Sequence, residues 1–155
     1  MRSRMLVVIS CVGLILMSFA AAQSPSPLPG ANYVPRLGDI MGMTQIRHLK
    51  LSFAGKLRNW GLAAYELDQI KESFQDASTL YPGIPVTDMT IVAEPVRRLK
   101  DAIQAKDSRK FSAAFTQLTA ACNGCHQAIG RGFIVIQTPT SAPFSNQTFE
   151  PSATP

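Results

Sequence analysis

Apolar residues recur in alternating steps of three and four in the middle of the chain, which is the spacing of one face of an α-helix. The clearest run has apolar residues at Trp60, Ala63, Leu67, Ile70, Phe74, Ala77 and Tyr81. Asn59 precedes this run as an N-cap candidate, and Pro82-Gly83 follows it as a stop signal. The pattern therefore predicts a helix that packs one face against partner helices.

Two neighbouring segments show the same spacing less regularly. A helix from about residue 37 to residue 54 is expected to end at Gly55 as its C-cap. Its apolar positions are Ile46, Leu49 and Phe53, with Met41 and Met43 as further candidates. Another helix is expected after Thr87 as a cap, with apolar positions at Met89, Val92, Val96, Leu99 and Ile103. Pro95 inside this helix predicts a kink or a late start, because an interior proline costs about 3 kcal/mol.

The last helix is expected to run from Asp107-Ser108 to about Gly130. Its apolar positions are Phe111, Phe115, Leu118, Cys122, Cys125 and Ile129. Both cysteines therefore lie on the face that meets the other helices, and His126 lies one step further around the helix.

Four helices with short connections predict an all-α protein, an antiparallel four-helix bundle over residues 37–131, and such bundles build cofactor sites between facing helices. Pro25, Pro27, Pro29 and Pro35 predict an extended leader over residues 23–36. The Pro-, Ser- and Thr-rich end predicts an extended C-terminal tail over residues 132–155. Its apolar residues 133–137 are interpreted as a strap over one side of the bundle or its cofactor, or alternatively as a packed segment without cofactor contact.

The N-terminus has the three parts of a secretory signal peptide. Arg2 and Arg4 precede an uncharged apolar stretch that ends at Phe19, and Ala20-Ala21-Ala22 follows as a cleavage site. Residues 1–22 are therefore expected to be removed on export to the periplasm. The alternative is an uncleaved segment that anchors the chain in the membrane.

The charge balance argues against a nucleic-acid partner. The chain has 15 Lys and Arg against 10 Asp and Glu, and loss of Arg2 and Arg4 with the signal peptide would leave 13 against 10. No basic run is interleaved with aromatic side chains in the way that nucleic-acid-binding surfaces require. We therefore expect no nucleic acid among the partners.

The cysteines give the most specific chemical signal. Removal of residues 1–22 also removes Cys11, which leaves Cys122 and Cys125. With His126 they form Cys-x-x-Cys-His, the attachment signature of haem c. Two thiols at this spacing on a helix can reach two vinyl groups of a porphyrin, and the histidine can bind the iron. A disulfide or a dithiol redox couple is the alternative, but thioredoxin-like redox chemistry expects the motif near a βαβ pattern, which this chain lacks. A structural zinc site is a further alternative, but it needs four N or S ligands.

A haem c motif near the end of the last helix of an exported four-helix bundle resembles the cytochrome c-prime class and its low-spin relatives. The resemblance covers residues 37–131 in architecture, and its sharp motif is Cys122 to His126. It implies one covalent haem c, with thioether bonds at Cys122 and Cys125 and His126 as the proximal iron ligand. The class commonly has a basic residue after this histidine, and Arg131 is the nearest one here. Many members also form a homodimer through the first two helices.

The function then depends on the sixth coordination position of the iron. His48 is the remaining histidine, and Met41 lies two turns before it on the same face of the first helix. We expect His48 to fill this position, with Met41 as the alternative. A solvent-exposed histidine beside Arg47 and Lys50, and methionines in ordinary core packing, are the competing interpretations.

A filled sixth position favours electron transfer between redox partner proteins, whereas an open position would favour binding of NO or CO. A peroxidase would need an acid–base pair beside an open iron, and His48 with Arg47 or Gln45 is the set available for it. The leading hypothesis is a periplasmic electron carrier that is not an enzyme and that contacts a membrane only through an uncleaved signal peptide.

Overall fold

The chain folds into four helices, and the all-α prediction is confirmed. The structure is a computed structural model that describes residues 33–84, 90–142 and 144–152, with the backbone alone at Thr90. Its helices are α1 Leu37–Lys56, α2 Trp60–Leu80, α3 Thr90–Gln104 and α4 Ser108–Ala128. No β-strand occurs in these ranges. The predicted signal peptide, the leader up to residue 32, Thr87 and Met89 lie outside the described residues.

The helices pack as an antiparallel bundle, as predicted. α1 contacts α2 and α4, and α3 contacts the same two helices. The three-residue connections 57–59 and 105–107 make the helices that they join antiparallel neighbours. No helix in the described part of the chain combines the length and the apolar character needed to cross a membrane.

Capping side chains fix where two helices begin. The side chain of Asn59 accepts a hydrogen bond from the Leu62 N–H at 3.1 Å, which confirms it as the N-cap of α2. Asp107 accepts from the N–H groups of Arg109 and Lys110 and begins α4. α3 runs through Pro95, so a helix start after this proline is excluded.

The core is built from the predicted apolar faces of α2, α3 and α4. Its residues from these helices are Ala63, Leu67, Ile70, Phe74, Val92, Leu99, Ala102, Ile103, Phe111, Ala114, Phe115, Leu118 and Ala121. Trp60 packs against this cluster and meets the ring of Phe111 edge-on at 6.0 Å. Burial of these side chains, at about 25 cal/mol per Å² of apolar surface, holds the bundle together.

α1 buries a different face from the one predicted. Met43 and Ile46 are exposed, and Leu49 is only half-buried. The buried residues of α1 are Ile40, Thr44, His48, Leu51, Ser52, Phe53, Ala54 and Gly55. Thr44 tolerates burial because its hydroxyl donates to the Ile40 carbonyl at 2.8 Å. A face with this many polar and small residues has no apolar period from which it could be predicted.

Gly55 is not the C-cap of α1, and this prediction is wrong. The helix continues to Lys56, and the chain then turns at Arg58, whose φ is 60°. A Cβ atom on Gly55 would collide with the ring of Phe111. Gly55 is therefore a position at which a side chain of α4 packs directly against the backbone of α1.

The C-terminal tail docks on the bundle without forming a helix or strand in its described residues. Phe149 is buried and packs against Phe53, with ring centroids 5.6 Å apart. The side chain of Asn59 also donates to the Glu150 carbonyl at 3.0 Å. These contacts tie the extended tail to the α1–α2 end of the bundle.

Replacement of Gly55 by alanine should lower the free energy of unfolding by about 1–3 kcal/mol, because the new methyl group must displace a packed aromatic ring. Gly61→Ala is the matched control, since Gly61 is exposed on α2 and the added methyl would meet only Asn59 Oδ1 at 3.9 Å. Urea unfolding of both variants measures the difference. Equal stabilities of the two variants would contradict the close approach of α1 and α4.

Candidate cofactor site

A cavity of about 300 Å³ lies between α1 and α4 and brings the sequence-predicted site residues together. Met41 and His48 of α1 line it, as do Cys122, Cys125 and His126 of α4. The rest of its wall is mostly apolar and includes Leu37, Phe74, Ile84, Val92, Ile129, Ile134 and Ile136. An apolar cavity with a few convergent polar groups is the usual form of a cofactor site.

The two thiols are neutral in this site. Cys122 and Cys125 are free and lie on the same side of α4, three residues apart. Burial, helped by the nearby Cys125, raises the pKa of Cys122 to about 11. Burial also raises the pKa of Cys125. Dithiol redox chemistry needs a lowered thiol pKa, so these thiols are poorly suited to it.

His126 is held by the backbone of the chain that follows α4. Its Nδ1 lies 2.7 Å from the carbonyl oxygen of Ile134. A carbonyl oxygen can only accept a hydrogen bond, so Nδ1 carries the proton. In the neutral imidazole the lone pair is then on Nε2, which is free to bind a metal.

A glycine at the end of α4 explains how Ile134 reaches His126. Gly130 adopts the left-handed conformation with φ 69°, and its N–H donates to the Gln127 carbonyl at 3.1 Å. The N–H of Arg131 donates to the His126 carbonyl at 2.6 Å. These two bonds form a Schellman motif, which ends the helix and turns the chain back across it.

His48 has the opposite tautomer. Its Nε2 lies 2.8 Å from the hydroxyl of Thr119, and that hydroxyl donates its single proton to the Phe115 carbonyl at 3.0 Å. With the hydroxyl proton on the Phe115 carbonyl, Nε2 of His48 is the donor, which leaves the lone pair on Nδ1. The ring is buried and packs 4.4 Å from the Phe115 ring. The interpretation of His48 as a solvent-exposed histidine is therefore wrong.

The register of α1 against α4 determines which residue is level with His126. His48 bonds to Thr119, Ile40 packs in one cluster with Cys125, and Gly55 meets Phe111. In one direction along the bundle axis, the residue numbers of α1 therefore increase while those of α4 decrease. Thr119 and His126 are seven residues apart, as are His48 and Met41. Met41 is therefore level with His126, and His48 lies about 10 Å further along the bundle.

Arg47 is engaged away from the cavity. It donates to Glu66 at 3.1 Å, where the carboxylate is buried, and its guanidinium lies 5.6 Å from the centroid of the Tyr65 ring. Arg47 is not among the described residues that line the cavity, whereas Gln45 is.

Thr119 and Asn123 could not be identified as residues of the site from the sequence, whereas Ile134 and Ile136 belong to the segment that was interpreted as a strap. Thr119 and Asn123 lie on α4, and Ile134 and Ile136 lie in the segment after it. Ile134 and Ile136 line the cavity, while the intervening Val135 is exposed. The signal for these two residues was the apolar run at 133–137. Its interpretation as a strap agrees with the position of Ile134 and Ile136 in the cavity wall.

No group of three or more His, Cys, Asp and Glu side chains in the described ranges could hold a metal ion by itself. A haem iron does not require such a group, because the protein supplies only its axial ligands. Comparisons with protein-family models, curated proteins and solved structures find no match for this chain. What the cavity binds is therefore argued from its own residues.

His48→Gln should flatten the pH dependence of stability below neutral pH. Burial lowers the pKa of His48 from 6.5 to about 4, so between these values the unfolded chain binds a proton that the folded chain excludes. The contribution of the neutral, buried His48 to the free energy of unfolding is therefore fully present above about pH 6.5 and is lost as the pH falls towards 4. Glutamine does not titrate, and its amide can still donate to Thr119.

Urea unfolding of the two proteins from about pH 7 to about pH 4 tests this prediction. The parent should lose more stability than the variant, by on the order of 3 kcal/mol over the whole window. All other titrating groups are shared, so the difference reports His48. Parallel stability curves would mean that His48 is not buried in its neutral form.

Proposed function

We propose that this chain is an exported monohaem c-type cytochrome that transfers electrons through a covalently bound haem c. The observation that carries the proposal is that Cys122, Cys125 and His126 line one apolar cavity, with the lone pair of His126 on Nε2. The sequence motif alone specifies residue types. The cavity adds an apolar space beside them, and the tautomer adds a nitrogen with a lone pair that can bind iron.

The chemistry of the donor set fits haem. When bound, haem supplies an iron that changes oxidation state by one electron. Each thiol would add across one vinyl C=C bond: an S–C bond forms, the thiol hydrogen moves to the neighbouring carbon, and no electrons are gained or lost. Arg131 also lines the cavity, and its guanidinium suits pairing with a propionate carboxylate.

For the sixth position we propose Met41 in place of His48. Two observations support this choice, which differs from the preference based on the sequence. Met41 is level with His126 across the cavity, whereas His48 lies two turns away. In addition, Nε2 of His48 is already the donor to Thr119, so ligation through this nitrogen would break a buried hydrogen bond at a cost of about 1–3 kcal/mol.

A methionine-ligated haem fits an electron carrier better than a gas-binding protein or an enzyme. The thioether of Met41 would close the position that NO, CO or peroxide needs. A peroxidase would also need a second polar group beside the iron, and Arg47 is held by Glu66. The proposed partners are redox proteins that meet the molecule in the periplasm, to which the N-terminal signal sequence would direct it.

Covalent haem is the first expected result. The mature chain, produced in a host that matures c-type cytochromes, should retain haem on a denaturing gel stained for haem peroxidase activity. The double variant Cys122→Ala, Cys125→Ala should give no stained band, because both thioether bonds are lost. Ser112→Ala, a substitution at an exposed position of the same helix, is the control and should stain like the parent. Haem that stays covalently bound to the double variant would contradict the proposal.

Met41→Leu should leave the sixth coordination position of the iron open, because leucine keeps the apolar volume and removes the sulfur ligand. The reduced variant should bind CO readily, and the oxidised variant should lose the weak long-wavelength absorption band of a methionine–iron bond. His48→Gln is the control and should keep the parent spectrum. If His48→Gln opens the iron and Met41→Leu does not, the ligand is His48.

A further inference from the structure

The segment 131–137 follows α4 and is defined here as the proximal strap. It contacts α4 through three side chain to backbone hydrogen bonds. His126 Nδ1–H donates to the Ile134 carbonyl at 2.7 Å. The Asn123 side chain accepts from the Ile136 N–H at 2.8 Å and donates to the Ile136 carbonyl at 2.9 Å. One amide thus satisfies both backbone groups of one strap residue, as a neighbouring β-strand would.

Apolar burial does little to hold the strap in place. Phe133 and Val135 are 77% and 71% exposed, and Ile134, which lines the cavity with Ile136, is still 41% exposed. Beyond the turn at Gly130, the bonds of Asn123 and His126 are therefore the hydrogen bonds that hold the strap at its distance from α4. The same distance determines whether the Ile134 carbonyl reaches His126, two residues along the strap.

Haem attachment does not require any particular residue at position 123. Cys-x-x-Cys-His specifies neither residue between the cysteines. Asn123 is half-buried and makes both of its hydrogen bonds to the strap, whereas Gly124 is exposed and has no neighbour at its Cβ position. This contrast indicates a role for Asn123 outside the attachment chemistry.

We propose that Asn123 is a positioning residue, which clamps the proximal strap so that the Ile134 carbonyl fixes the tautomer and orientation of His126. This inference rests on the proposed function, in which His126 binds the haem iron. A histidine ligand that donates its second N–H to a carbonyl is more basic and is held in one orientation. Without the clamp, the imidazole loses its fixed orientation, and the hydrogen bond that makes it more basic is weakened.

A more basic proximal histidine stabilises ferric over ferrous iron, so the clamp lowers the reduction potential. Loss of the clamp should therefore shift the potential upwards without detaching the haem. The strap would also become more mobile, and its Ile136 amide would lose its hydrogen-bond acceptor. These two effects are measurable independently of each other.

The test compares Asn123→Leu with the parent in the full mature chain. The Ile136 amide should exchange with solvent about fivefold faster in the variant, the factor that corresponds to a hydrogen bond of about 1 kcal/mol. The Ile134 amide, which donates to the Arg131 carbonyl at 2.8 Å, is the internal reference and should change less. The midpoint potential should rise. Asn123→Ala should give the same shifts and guards against an effect of the leucine side chain.

Asn146→Leu is the matched control, because Asn146 is exposed in the tail, and it should leave exchange and potential unchanged. Covalent haem with unaltered Ile136 exchange, or with an unaltered potential, in both Asn123 variants would overturn the clamp. Absence of covalent haem from the parent would instead overturn the proposed function. If the parent carries no haem but the Ile136 amide still exchanges faster in the Asn123 variants, Asn123 holds the strap only as a structural contact, and its proposed role in positioning a haem ligand is overturned.

Discussion

Gly55 lets the ring of Phe111 approach the backbone of α1, and this contact limits how α1 can slide along α4. The hydrogen bond between His48 and Thr119 fixes the same register two turns further along. Together they bring Met41 level with His126 at the other end of the helix pair. A shift of one turn, about 5.4 Å, would bring a different α1 residue level with His126. The contact at Gly55 and this hydrogen bond together thus determine which side chain of α1 lies across the cavity from His126.

The two histidines of the chain illustrate how hydrogen bonds assign roles to identical side chains. Both line the cavity, and both donate one ring N–H to an oxygen on or beside α4. His126 donates from Nδ1 and keeps its outer nitrogen Nε2 free, whereas His48 donates from Nε2. Burial lowers the pKa of His48 to about 4 and keeps it neutral. We infer that His126 serves the cofactor and that His48 joins α1 to α4.

Much of this fold could be predicted from the sequence, and the exceptions have physical causes. The apolar periods of α2 and α4 and the cap at Asn59 are local signals, and the structure confirms them. The buried face of α1 was predicted wrongly, because Thr44, His48 and Ser52 on it are polar. Gly55 looked like a C-cap because its contact with Phe111 is non-local. The Asn123 clamp likewise depends on a chain reversal that brings Ile136 back to α4, and the spacing of residues does not encode the outcome of such a turn.

We propose that the cavity between α1 and α4 holds one iron between Met41 and His126. Crystals of the mature protein measured at the iron absorption edge test it most directly, because anomalous scattering locates iron independently of any assumed cofactor. We expect one iron peak per chain, within bonding distance of His126 Nε2 and the Met41 sulfur. A peak at His48, or no iron in this cavity, would contradict it.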